Sequence, residues 1–166
     1  MQSFSKLRTM NEVAEMRAKW REQGRKVVWT NGVFDLLHAG HIRSLRDARA
    51  LGDVLIVGIN SDSSAREFKG ASRPLMGQED RAEVLSALEM VDYVVIFDES
   101  EPSAALARLR PDIHCKGADY APPNGKPIPE KALVESYGGR VEFLPLLIGL
   151  STTRIIGRIQ NESDGG

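Results

Sequence analysis

The sequence predicts an α/β fold of the Rossmann-like type, with an open, mostly parallel five-stranded sheet and helices on both faces. Two observations predict it. Five short apolar runs alternate with segments of helical periodicity, which is typical of right-handed β–α–β units. The run at residues 54–59 is also apolar without interruption, as expected for a strand covered on both faces. We expect one domain over residues 1–166, with its core at about 26–160.

The individual elements follow from local patterns. Strands are predicted where β-branched and aromatic residues cluster, at residues 27–29, 54–59, 93–97, 113–115 and 141–144. Helices are predicted where apolar residues recur three or four positions apart, at about residues 10–23, 42–51, 79–90, 102–109, 130–137 and 151–160. Gly24 follows the first helix as a stop, and Pro102 begins the fourth. A polar loop is expected at about 69–77, and a frayed tail at 161–166.

Composition restricts the possible partners. The 166 residues include 22 basic and 23 acidic side chains, and the net charge of -1 gives no argument for binding nucleic acid or a membrane surface. The single cysteine, Cys115, cannot form an internal disulfide, which favours a reducing cytosol. We find no apolar stretch of membrane-spanning length and no signal-peptide core. The sequence therefore predicts a cytoplasmic protein.

The most informative segment joins the first predicted strand to the next helix, and it contains His38, Gly40 and His41. Such a junction directs backbone N–H groups and the positive end of a helix dipole toward an anion. A spacing of three residues can place both imidazoles on one side of the helix start. A single histidine at this position more often caps the helix or packs on its first turn. The pair with a glycine between favours a phosphate site.

Polar residues follow every predicted strand. They lie at 30–41, 60–62, 98–99, 116–120 and 150–153. In an open parallel sheet, ligands bind beyond the carboxyl ends of the strands, near the point where the strand order reverses. These segments are therefore expected to converge on one site.

The run 30–35, followed by His38-Ala39-Gly40-His41, resembles the signature of the cytidylyltransferase-like nucleotidyltransferases. Within that superfamily, the ordered set of motifs is most similar to the adenylyltransferase domains that act on D-glycero-β-D-manno-heptose 1-phosphate. The further motifs lie at 58–62, 69–70, 72–74, 81, 88–89, 91–92, 116–120 and 151–156. Together they span about residues 26–160.

This resemblance implies an adenylyl transfer. ATP, with Mg²⁺, would give AMP to the sugar phosphate, forming ADP-heptose for lipopolysaccharide core biosynthesis and releasing pyrophosphate. It implies that His38 and His41 donate hydrogen bonds to the phosphates. The residues implied to lie against the nucleotide are Thr30, Asn31, Gly32, Phe34 and Gly40.

The resemblance also implies cations around the phosphates, namely Lys69, Arg73, Arg81 and Lys116. A second anion site is expected at the last helix start, with Ser151, Thr152, Thr153 and Arg154. Simpler roles stay open for several of these residues. Arg81 can be an exposed helix arginine paired with Glu79 or Asp80, and Lys69 a solvated side chain in a flexible loop that ATP would order. The hydroxyls can be a plain helix cap, and Arg154 can face solvent.

Three further residues are implied to bind substrate, namely Asp35, Asn60 and Asp119. Asp35 or Asp119 is also the possible ligand of Mg²⁺, although Mg²⁺ on a triphosphate needs few protein carboxylates. In simpler roles, Asp35 caps a loop and Asp119 belongs to a turn.

Departures from the family pattern matter for the substrate. Glycerol-phosphate cytidylyltransferases usually carry an arginine shortly before the block that here is Gly-Leu-Ser-Thr-Thr at 149–153, whereas this chain has Pro-Leu-Leu-Ile at 145–148. That weakens the case for a glycerol-3-phosphate cytidylyltransferase. A pantetheine- or nicotinate-nucleotide adenylyltransferase stays open, and so does a nucleotide-binding regulatory module without turnover.

Two expectations concern partners. The usual sugar-kinase domain is absent from the sequence, so the heptose kinase step is expected from a separate polypeptide. The resemblance also implies a homodimer or higher homo-oligomer. The apolar residues 146–148 fit either an interface or, as the more ordinary use, the core of the sheet.

Overall fold

The computed structural model describes residues 6–163. Its centre is one five-stranded sheet in which all paired strands are parallel, in the order β3-β2-β1-β4-β5. The strands are β1 Val27–Gly32, β2 Val54–Asn60, β3 Tyr93–Phe97, β4 Ile113–Gly117 and β5 Arg140–Leu144. All five predicted strands are present, and the Rossmann-like α/β prediction is confirmed.

Seven α-helices are found in the described part of the chain. They are α1 Met10–Glu22, α2 Ala39–Ala50, α3 Asp62–Lys69, α4 Gln78–Ser86, α5 Ser103–Leu109, α6 Lys131–Ser136 and α7 Thr152–Ser163. A single 3₁₀ turn, Ala118–Tyr120, follows β4. The sequence does not predict α3, because this eight-residue helix has only two apolar side chains, Ala65 and Phe68.

The predicted helix limits differ at several ends. Helix α2 begins three residues earlier than expected, α4 ends four residues earlier, and α7 runs to Ser163. Residues 161–163 of the predicted frayed tail are therefore helical, and the rest of that tail lies outside the described residues. Lys69 belongs to the end of α3 and not to the polar loop that the sequence predicts for it.

Two apolar clusters cover the two faces of the sheet. Along β2, Leu55 and Val57 point to one face, where α2 and α4 pack, whereas Val54 and Ile56 point to the other. That other face is covered by α1, α5 and α6, which contribute Val13, Trp20, Leu106, Leu109 and Val134. The alternation follows from the two-residue period of a strand. Helices therefore cover both faces, and every residue of β2 is buried.

The topology fixes where a ligand can bind. Because β2 and β3 lie on one side of β1 while β4 and β5 lie on the other, the strand order reverses between β1 and β4. The loops after the carboxyl ends of these two strands leave a crevice at such a point. Across residues 6–163, no helix combines the length and apolar content needed to cross a membrane.

Candidate active site

A cleft of about 980 Å³ opens at the carboxyl ends of the strands. Its volume is near the upper end of the range for small-molecule sites. The predicted site residues that line it are Asn31, Gly32, Phe34, Asp35, His38, Gly40, His41, Asn60, Lys69, Arg73, Lys116, Ser151, Thr152 and Thr153. Four other predicted residues lie outside this lining, namely Thr30, Arg81, Asp119 and Arg154.

One side of the cleft, which we name the histidine wall, is the segment from Phe34 to His41. The chain leaves β1 through Phe34, whose φ of 51° is in the left-handed region, and enters α2 with His38 as the N-cap. The imidazole rings of His38 and His41 stack with their centroids 3.9 Å apart. Both rings therefore share one small region of the wall.

Backbone hydrogen bonds orient the two rings. The Gly40 N–H donates to Nδ1 of His38 at 3.1 Å, and the His38 N–H donates to Nδ1 of His41 at 3.3 Å. Helix capping is thus carried out by the Nδ1 atoms. Because a neutral imidazole carries its proton on the nitrogen that does not accept, each Nε2–H becomes a donor. The capping bonds thus occupy the Nδ1 side of each ring, and the Nε2–H lies on the other side.

The protonation of the pair follows from its packing. Burial, and then the charge of a protonated His38, lowers the pKa of His41 to about 4. Burial also lowers the pKa of His38. Both rings are therefore neutral donors near pH 7.

Gly40 is required by the folded position of the His38 ring. A Cβ at residue 40 would lie 2.9 Å from both Cε1 and Nδ1 of that ring. Any larger residue would push the ring away from the Gly40 N–H and undo the cap. The absence of a side chain at Gly40 thus allows the His38 ring to pack closely against the start of α2.

A second side of the cleft, which we name the lysine wall, consists of the lining residues Lys116, Tyr120 and Glu130, together with His114, which is fully buried behind them and outside the lining. The Lys116 ammonium lies 2.9 Å from Oε1 of Glu130 and 4.3 Å from the centroid of the Tyr120 ring. Nε2 of His114 lies 3.0 Å from the same Glu130 oxygen. Lys116 is thereby held between a carboxylate and an aromatic face.

The start of α7 also lines the cleft, through residues 151–153. The Thr152 hydroxyl donates to the backbone oxygen of Leu36 at 3.0 Å, which ties α7 to the histidine wall. The Ser151 hydroxyl accepts from the Arg154 N–H at 3.2 Å and so caps the helix. The remaining N–H groups of a first helical turn have no partner within the helix and suit an anion.

Asp35 has a different role from the one predicted. Its carboxylate accepts from Nε of Arg73 at 2.7 Å and from the N–H groups of Leu75 and Met76. Burial would raise the pKa of Asp35, but these donors outweigh it and lower the pKa. The carboxylate fastens the loop after α3 and is saturated by it. A contact to substrate or metal is therefore not supported for Asp35.

The prediction that Arg81 is a phosphate cation is wrong in this structure. Its side chain is buried below the cleft, on α4. The guanidinium donates to four oxygens at 2.6–3.1 Å, namely Met76 O, Val33 O, Asn60 O and Asp62 Oδ1. The simpler role of an exposed pair with Glu79 or Asp80 is wrong too. Arg81 joins the ends of β1 and β2, and it holds the floor of the site.

Of the other predicted residues, Asn60 lines the cleft, whereas Asp119 and Arg154 do not. Asn60 lines the cleft, but its amide donates to the Ser64 hydroxyl and the Glu99 carbonyl, so it braces the end of β2. Asp119 pairs with Lys126 at 2.5 Å outside the lining, and Arg154 is exposed. Among the side chains that the structure describes, no cluster of three or more His, Cys, Asp or Glu could hold a metal. The carboxylates of Asp35 and Asp119 are already paired with Arg73 and Lys126, so the structure gives no support to Mg²⁺ ligation by either.

The apolar residues after β5 are not in the core of the sheet. Leu146 is 54% exposed and Ile148 is 98% exposed, and both line the cleft mouth together with Leu147 and Leu150. The core position expected for 146–148 is wrong, because β5 ends at Leu144 and the chain then turns across the strand ends.

Sequence reasoning missed His114 and Glu130. The sequence pattern assigns His114 only to a strand and Glu130 only to a helix start. A signal was available for His114, since it lies two residues before Lys116 and must share its face of β4. No local signal identifies Glu130, which is separated from Lys116 by a proline-rich loop.

The sheet order, the cleft at its switch point and the two helix starts that line that cleft form a Rossmann-like α/β architecture, and the family match that follows assigns it to the nucleotidyltransferases. A family model described as cytidylyltransferase-like matches residues 29–158. The chain belongs to this family, which confirms the resemblance found in the sequence.

Several relatives cover nearly the whole chain. The bifunctional protein HldE of Syntrophotalea carbinolica is 49% identical over 162 residues, which are 98% of this chain and 32% of that protein. The bifunctional protein HldE of Koribacter versatilis is 48% identical over 152 residues, which are 92% of this chain and 31% of that protein. The chain thus spans about a third of the length of these relatives.

Solved structures resemble it as well. The lipopolysaccharide core biosynthesis protein from Thermoplasma volcanium GSS1 is 28% identical, with a TM-score of 0.60 over 75% of this chain and 98% of that one. Pantoate-beta-alanine ligase from Francisella tularensis, in a complex with beta-gamma ATP and beta-alanine, has a TM-score of 0.57 over 94% of this chain and 76% of that one. The ligase is only 15% identical, so it supports the fold alone.

Proposed function

We propose that this chain transfers the adenylyl group of ATP to D-glycero-β-D-manno-heptose 1-phosphate, which yields ADP-heptose and pyrophosphate. The observation that carries the proposal is the complete, ordered motif set, together with 49% identity to a bifunctional protein HldE over 98% of the chain. The lipopolysaccharide core biosynthesis protein among the similar structures agrees with it.

The chemistry requires positioning more than covalent catalysis. A phosphate oxygen of the sugar 1-phosphate attacks the α-phosphorus of ATP, and the bond from that phosphorus to the bridging oxygen of the β-phosphate breaks. Negative charge builds on the oxygens around the α-phosphorus and on the departing pyrophosphate. The Nε2–H groups of His38 and His41 would donate to these oxygens, and the ammonium of Lys116 would neutralise them from the lysine wall.

The outer parts of the cleft would hold the rest of the substrates. Lys69 lines the cleft from the end of α3 and would bring positive charge to the phosphates. Arg73 also lines the cleft, but its Nε is paired with Asp35, so only its remaining N–H groups would donate to a phosphate. The first turn of α7 would hold further phosphate oxygens. Mg²⁺ enters this proposal as part of the Mg²⁺–ATP substrate, because a triphosphate supplies most of the oxygen ligands that the ion needs.

A cytidylyl transfer is the second candidate, since the matching family is described as cytidylyltransferase-like. A panel of ATP or CTP with heptose 1-phosphate or glycerol 3-phosphate separates the two by pyrophosphate release. We expect release with ATP and the heptose phosphate, and only background hydrolysis when the acceptor is omitted. Release with CTP and glycerol 3-phosphate alone would overturn the proposal, as would ATP binding without any product.

Two expectations about partners stay predictions. The exposed Leu146 and Ile148 are available to a homo-oligomer interface, and light scattering of the purified chain would give its mass. The polypeptide that supplies the kinase step is equally untested.

A further inference from the structure

The carboxylate of Glu130 is the hub of the lysine wall. Its Oε1 accepts from both Nζ of Lys116 at 2.9 Å and Nε2 of His114 at 3.0 Å. Glu130 is only 3% exposed, although it belongs to the cleft lining. A buried carboxylate beside the predicted phosphate lysine has no part in the transfer described above.

The fold brings these three side chains together by register. His114 and Lys116 lie two residues apart on β4, so both point to the same face of the sheet. Glu130 arrives from a loop that contains Pro127 and Pro129, each of which fixes one backbone φ just before α6 begins. One carboxylate can therefore reach both strand residues at once.

The electrostatics hold Glu130 ionised. Burial alone would raise the pKa of Glu130, but hydrogen bonds from His114 and Lys116 outweigh it and lower the pKa to about 2. A buried anion of this kind is stable only while its donors stay in place. Glu130 and Lys116 therefore fix each other.

An unrestrained lysine is poorly suited to a transition-state contact. Its ammonium sits on four flexible carbons, and ordering that chain when the substrate binds costs rotamer entropy. In this structure Lys116 is already held between Glu130 and the Tyr120 ring. An ammonium has three N–H donors, so the contact to Glu130 leaves two for phosphate oxygens.

We propose that Glu130, locked in place by His114, is a positioning residue that pre-orders Lys116 for the triphosphate. The inference rests on the proposed nucleotidyl transfer and adds a residue to it. Glu130 does not touch the substrate; it acts through Lys116 alone. Its effect must therefore disappear when Lys116 is absent.

A double-mutant cycle tests this dependence. Glu130→Gln preserves the size of the side chain and removes its charge, and Lys116→Met removes the ammonium. We expect Glu130→Gln to lower turnover about tenfold in the natural chain and less than twofold when Lys116→Met is also present. Glu142→Gln is the matched control, because Glu142 lies on neighbouring β5, pairs with Arg140 and is outside the cleft lining. It should leave turnover within about twofold.

The assay uses whichever nucleotide and acceptor react fastest in the substrate panel, so a wrong heptose assignment does not affect it. If no pair reacts, the proposed function fails, and the same cycle is measured by calorimetric ATP binding. There we expect Glu130→Gln to raise the Kd about threefold, and only with Lys116 present.

Should Glu130→Gln fail to fold by circular dichroism, Glu130→Asp replaces it, since it keeps the charge and withdraws the oxygen. Unchanged turnover and Kd, or equal losses with and without Lys116, would overturn the inference.

Discussion

The histidine wall takes both of its imidazoles from one continuous segment, whereas the lysine wall gathers His114 and Lys116 from β4 and Glu130 from the start of α6. In the first wall, the N-cap geometry of α2 orients each ring through a neighbouring backbone N–H. In the second, a side chain orients a side chain across a loop. The difference shows that one cleft can combine a pair of donors encoded in one short segment with a cluster of side chains that only the tertiary fold assembles.

The largest effect that tests this comparison is expected from the histidine wall. His41→Ala should lower turnover by roughly a hundredfold with the fold retained, the order expected for the loss of one transition-state donor. Steady-state pyrophosphate release measures the turnover, and circular dichroism measures whether the fold is retained. If the rate stays the same, the histidine pair only caps α2, and the lysine wall alone would carry the phosphate contacts.

A smaller effect tests whether the position of the His38 ring is set within its own segment, by Gly40. Gly40→Ala places a methyl group against the His38 ring and should displace it, which we expect to lower turnover by roughly tenfold. Gly157→Ala is the matched control, because a Cβ there would meet no atom within 4 Å, and alanine also favours the α7 helix. Equal rates for the two variants would show that the ring position is not set by Gly40.

These two walls also explain how much the sequence could predict. The five strands, the sheet edge and the histidine pair follow from periodicity and from one short, continuous motif, so they were predictable. Arg81 was misjudged because its burial depends on how α4 packs beneath the ends of β1 and β2, which no local pattern reveals. Asp35 was misjudged for the same reason, since its backbone partners lie 40 and 41 residues away in the chain.

Glu130 was missed for a related reason. Its fourteen-residue separation from Lys116 has no helical or strand period that would align the two side chains. The family resemblance identified Lys116 but gave no partner for it. Charge partners joined across a loop are therefore recognised only in the three-dimensional structure. Residues that share one helical turn or one strand can be paired from the sequence alone.

The smallest expected effect is a difference in pH dependence between the walls. A histidine whose pKa is lowered from 6.5 to about 4 stays neutral in the folded chain while the unfolded chain takes up a proton below pH 6.5. Stability from His41 is therefore fully present above pH 6.5 and is lost as the pH falls toward 4. Because His41 is only partly buried, we expect a loss of about 1 kcal/mol between about pH 7.5 and 5.0.

The stability contributed by the lysine wall changes over a lower pH range. Glu130, with its pKa lowered from 4.5 to about 2, stabilises the fold above pH 4.5, and this stability is lost as the pH falls through 2. Thermal unfolding from about pH 7.5 to 3 should therefore show two separable slopes. His41→Gln should flatten the curve above about pH 4.5, where 1 kcal/mol corresponds to a change of about 2–4 °C in Tm, and Glu130→Gln should flatten it only below. If His41→Gln leaves the upper slope intact, the histidine is not held neutral by burial, and the two walls do not differ in the way their hydrogen bonds indicate.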